Sequence, residues 1–95
     1  MQRDIKAGLQ AYLKGRTEKA VREFAESCGT SAGHLRNVML GWRACSGELA
    51  AAIERESQGA VSCEHMAPHI KWHRLRDSAW PWNGGRPVVE VALSA

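Results

Sequence analysis

No stretch of this chain approaches the ~18 consecutive apolar residues of a membrane-spanning helix, so no membrane partner is expected. The opening MQRDIKAGLQ lacks the apolar centre of a secretory signal. The three cysteines, Cys28, Cys45 and Cys63, are odd in number and form no CxxC pair. That pattern argues against a disulfide framework and for a reducing cytosol. A soluble, cytoplasmic protein is the expectation. Enzyme signatures are missing too. The glycine-bounded GWRACSG, residues 41–47, lacks the Lys-Ser/Thr ending of a phosphate-binding loop. Cys45 has no obvious His partner in sequence, and the carboxylates are expected on solvated helix faces. No catalytic residue and no cofactor is assigned. Internal repeats and low-complexity tracts are absent.

What is present fits one small domain. The 95 residues are 44% hydrophobic and 24% charged, which is ordinary for a globular chain and excludes disordered or collagen-like classes. Thirteen basic against ten acidic side chains leave a formal net charge of +3, a mild bias towards an anionic partner. Its distribution says more than its size. Residues 28–47 contain Arg36 and Arg43 and no acid, and residues 69–76 hold three cations, His69 and His73, again with no acid.

Hydrophobic spacing marks four helices. The first covers 4–14, with Ile5, Leu9, Tyr12 and Leu13 inward, Asp4 as cap and Gly15 as stop. The second covers about 18–28, capped by Thr17 and ended by Gly29, with Ala20, Val21, Phe24, Ala25 and Cys28 as its apolar stripe. The third, about 31–40, takes Ser31 as cap, with Thr30 the rival, buries Leu35, Val38 and Met39, and ends at Gly41. The fourth, about 47–57, is capped by Ser46, turns Leu49, Ala50, Ala52 and Ile53 inward and ends at Gln58-Gly59. Ser62 then opens a short helical turn that Pro68 stops. Beyond Pro68 the period is lost until PVVEVAL, 87–93, which reads as one short strand. Such a strand must pair with a second copy, pack on this domain or remain disordered.

The second and third helices, from about Val21 to Leu40, carry the pattern of a helix-turn-helix. Ala25 is small where the helices cross, Gly29 sits in the turn, and Phe24, Cys28, Leu35 and Val38 anchor both sides. Thr30 departs from it, an apolar residue being commoner there. The chemistry this implies is major-groove reading of double-stranded DNA by the third helix. Ser31, Ala32, Gly33, His34, Arg36 and Asn37 form its expected outer face. Asn37 can pair with adenine N6 and N7, and Arg36 with guanine O6 and N7 or a phosphate. Ala32 and Gly33 are nearly blank as readers, so DNA shape is expected to contribute. Lys19 and Arg22 on the second helix, and Trp42 and Arg43 after the third, are the expected flanking contacts. The blander alternative is a solvated helix face, with Trp42 packed on the fourth helix.

Residues 17–72 resemble the YdaS-type antitoxins and Cro-like prophage regulators of the lambda-repressor-like class. The carriers are KAVREFAESCGTSAGHLRNVM and GELAAAIERESQGAVSCEHMAPHIKW. The resemblance implies an all-α, compact four- to five-helix DNA-binding domain over 1–72, repressor activity at a phage-type operator, and a homodimer. The family often has Gln-Gln where this chain has Ala32-Gly33, so its base contacts do not carry over there. Its usual acid near Ile70 is replaced by Lys71. The tail, 73–95, has no counterpart and reads as irregular and Trp-rich, with the strand 87–93 as a dimerisation element by analogy with Cro-type proteins.

Two further constellations stand beside this reading. Cys63, His65, His69 and His73 are metal-type ligands in a C-x-H-x3-H-x3-H series. Pro68 interrupts the helix between His65 and His69, and the resemblance gives Cys63 a structural role, so a basic surface is the preferred reading and no metal is assigned. Trp72, Trp80 and Trp82 are expected to cover a small core. The alternative makes the tail a partner surface, for instance for a cognate toxin.

Overall fold

The computed structural model describes residues 5–75 and 85–89. Among them, the helices α1 (Ala7–Leu13), α2 (Glu18–Ser27), α3 (Ala32–Met39), α4 (Gly47–Glu56) and α5 (Cys63–Met66) precede two strands, β1 (Trp72–Leu75) and β2 (Arg86–Val89). The chain is therefore mostly helical. None of its described helices is long and apolar enough to cross a membrane.

Local chemistry sets the helix ends. Thr17, Ser31, Ser46 and Ser62 each accept a hydrogen bond from the backbone N–H three residues on, which satisfies one of the free donors of the first turn. Ser31 is thus the cap of α3 and Thr30 is not. At the far ends of α2 and α3 the chain closes by one motif. Gly29 and Gly41 adopt φ of +79° and +82°. This left-handed turn lets the Thr30 N–H reach the Ala25 carbonyl (2.9 Å) and the Trp42 N–H reach that of Asn37 (2.8 Å). α1 begins later than its spacing predicts. Lys6 is buried and its N–H donates to the Met39 carbonyl at 2.8 Å, tying the start of α1 to the end of α3. The expected Asp4 cap lies outside the described residues.

The core follows the apolar stripes. Leu9, Leu13, Val21, Ala25, Cys28, Leu35, Val38, Leu49, Ala50, Ala52 and Ile53 are buried, closed below by Val61, Cys63, Met66 and Ala67. Tyr12 and Phe24 meet on its edge as a tilted ring pair, 5.2 Å between ring centres. Ile5, expected inside, is exposed, because α1 starts after it. Gly8 lies against the His65 ring, and its N–H donates to His65 Nε2 at 3.0 Å, so α5 seals the start of α1.

The tail differs from its expected irregularity. β1 and β2 pair antiparallel, with Trp72 opposite Val89 and Arg74 opposite Pro87. Of the fates open to the late strand, the described part pairs within its own chain, so that edge is not offered to a second copy. The segment 90–93 lies outside the described residues. The boundary expected between 72 and 73 falls inside β1. Trp72 packs on the core and its Nε1–H donates to the Ala67 carbonyl at 3.0 Å, as a core-covering tryptophan should. Trp80 and Trp82 lie outside the described residues.

Candidate nucleic-acid interface

Burial of Leu35 and Val38 fixes which way α3 faces. At 3.6 residues per turn the opposite side carries Gly33, Arg36 and Asn37, all exposed. His34, also exposed, flanks them. Arg36 and Asn37 make no ion pair among the described residues, and a side chain built on Gly33 would meet nothing within 4 Å. Among the described residues the face is open, cationic and acid-free.

Two of the expected readers sit differently. Ala32 is half-buried and packs against the core, so it lies at the rim of the face. Ser31 is exposed, but its oxygen accepts the His34 N–H at 3.1 Å. One acceptor position is thereby used, which leaves the hydroxyl hydrogen and a second lone pair. His34 borders a small depression shared with Ser46 and Glu48.

The flanking residues divide likewise. Trp42 is 56% exposed, where the blander alternative expects it packed on α4. The Asn37 carbonyl receives the N–H groups of both Trp42 and Arg43, which holds this loop at the C-terminal end of α3. The Arg43 guanidinium donates to the Trp42 carbonyl at 3.1 Å. On α2, Lys19 and Arg22 are exposed, and Lys19 stands 4.0 Å from Glu23, a surface pair of little energetic weight.

A second cluster was not foreseen. Glu54 is only 1% exposed, contrary to the expectation that all carboxylates lie on solvated faces. The Arg74 guanidinium binds both of its oxygens, then also Glu64 and the Gly85 carbonyl. The Cys63 N–H donates to Glu54 Oε1 at 3.1 Å, so one carboxylate serves α5 and the hairpin together. The signal was present in sequence. Ala50, Ile53, Glu54 and Ser57 follow one helical stripe, and an acid on a buried stripe needs a cation. Hydrogen bonding to Glu54 raises the Arg74 pKa against the opposing effect of burial. Burial alone would raise the Glu64 pKa, but hydrogen bonds from Cys63 and Arg74 outweigh it and hold the carboxyl below its usual range.

Glu54, Cys63 and Glu64 offer the one group of metal-type ligands within 4.8 Å of one another among the described residues. Arg74 already engages all three, so the cation there is a guanidinium. The four-residue series from Cys63 is not gathered. Cys63 is buried and His65 accepts from Gly8, whereas His69 borders a depression beside Trp42 and His73 stands exposed on β1. Burial pushes the Cys28 thiol up to about 12 and the Cys45 thiol up to about 11, and raises that of Cys63, so none is poised as a nucleophile. No protein-family model, no curated protein and no solved structure matches this chain.

Proposed function

We propose that this protein is a sequence-specific regulator that binds double-stranded DNA, with α3 lying in the major groove. α2 and α3 are then a helix-turn-helix within a lambda-repressor-like domain, and the activity is that of a Cro-like repressor or a YdaS-type antitoxin. One observation carries the reading. The outward side of α3 presents Arg36 and Asn37 around an open Gly33, without an acid among the described residues paired to Arg36. A guanidinium and a carboxamide a residue apart are the donors and acceptors that read guanine and adenine edges. Gly33 keeps the centre of the face low, which suits close approach to bases. Trp42 and Arg43 at one end of α3, with Lys19 and Arg22 on α2, supply phosphate contacts. Two copies on half-sites about 34–36 Å apart would impose a palindromic operator.

The test is selection of bound sequences from a random duplex pool with the full chain. A palindromic enriched motif is expected, with affinity falling steeply as salt rises. An unenriched pool, or equal operator affinity of the native protein and an Arg36→Ala, Asn37→Ala variant, removes the proposal.

A further inference from the structure

A groove of about 690 Å³ runs between α1 and α3, on the side of α3 where Arg36 leans. Its floor is apolar, with Leu13, Val21 and Met39 contributing, while Lys14, Arg16 and Arg36 stand around it and no acid among the described residues lines it. None of the three cations makes an ion pair among the described residues. Arg16 is already ordered. Its guanidinium lies 4.2 Å from the Tyr12 ring centre and its Nε–H donates to the Tyr12 carbonyl at 2.8 Å. The remaining guanidinium donors are therefore offered with little further loss of side-chain freedom.

We propose that this groove docks an acidic amphipathic segment of a partner protein, seating an apolar side chain on the floor and carboxylates on Lys14, Arg16 and Arg36. Charge complementarity selects the sign of the occupant, and the floor selects its class. A phosphate backbone has no use for Leu13, Val21 and Met39, whereas an apolar side chain buried there leaves water at roughly 25 cal/mol per Å². Arg36 belongs both to this rim and to the outward side of α3. A docked carboxylate and a DNA base compete for one guanidinium, so the partner releases DNA. That last clause rests on the proposed DNA reading; the docking itself does not.

The experiment selects binders to the full chain from a random-peptide display library and measures each by fluorescence anisotropy without DNA. Enriched peptides should set an apolar residue between Asp or Glu. Their affinity should fall by about tenfold, equivalent to ~1.4 kcal/mol, in a Lys14→Gln, Arg16→Gln variant with an unchanged melting temperature. Basic or uncharged winners, or undiminished binding by the variant, overturn the proposal. So does self-association of the chain that the variant loses, which would make a second copy the occupant. The DNA arm is separate. If the variant lowers the salt slope of DNA binding by about one per residue, the groove follows phosphates and the peptide proposal fails. Failure of any duplex to be enriched removes the DNA reading and leaves peptide docking standing. A bound peptide that does not displace the selected duplex overturns the sharing of Arg36.

Discussion

Each end of α2 and α3 closes on a residue no more than five positions away, Thr17 on Ala20, Ser31 on His34, Thr30 on Ala25 and Trp42 on Asn37. The hairpin is held by Arg74 reaching twenty positions back to Glu54. Local closure leaves the outer side of α3 with no structural duty, and side chains there are available to a partner. Long-range closure does the reverse. Glu54 and Arg74 are consumed by the fold, and the residues around them are committed to it. The two regions should accordingly respond to mutation in opposite ways, the hairpin in stability and the helix pair in binding.

The largest expected effect is on the hairpin. Arg74→Ala strands a buried carboxylate and should cost about 3 kcal/mol, read as a lower denaturation midpoint. Glu54→Ala should cost roughly half that, because the guanidinium is more exposed and keeps Glu64 and water as partners. The double variant should cost less than the sum of the two. Additive losses would show that the pair does not hold the hairpin.

Next in size is the proposed reading face. Arg36→Ala and Asn37→Ala should each weaken specific DNA binding by about 1–3 kcal/mol while the melting temperature stays put. A fall in stability with unchanged binding would reverse the comparison. Gly33→Ala separates the regions in one substitution. An added methyl meets open space and a better helix former, so stability should rise by about 1 kcal/mol. The same methyl stands at the centre of the outward side, so operator affinity should fall. Gains in both would show that nothing approaches α3 closely.

The last effect is confined to alkaline pH. Burial raises the Cys28 and Cys45 thiols from an ordinary 9.0 to about 12 and about 11. Their contribution is complete below pH 9.0 and lost as pH rises through 11 and 12, since the unfolded chain ionises first. Denaturant midpoints across that window should fall more for the native chain than for a Cys28→Ala, Cys45→Ala variant. Parallel falls would remove the thiols as the cause.

The helical part was legible because its signals are short-range. Thr17, Ser31, Ser46 and Ser62 cap the helices they precede, and Gly29 and Gly41 end theirs in the left-handed turn that their lack of a side chain permits. The stripes of Leu35 with Val38, and of Leu49 with Ile53, fixed which sides turn inward. β1 was not legible. Trp-His-Arg-Leu has no alternation of apolar and polar residues, and its strand conformation comes from pairing with β2. Half-burial of Ala32 was equally hidden, because it depends on which neighbour packs beside the first turn of α3.

By itself the amino-acid order determined where α2, α3, α4 and α5 begin and which side of α3 is buried, since caps, turns and stripes act over a few residues. Tertiary structure alone decided that Glu54 is buried, that Arg74 meets it, that the late strand pairs within its own chain and that Lys14, Arg16 and Arg36 share one groove. These outcomes require groups far apart in sequence to lose water together, and no local pattern states which partner each will meet.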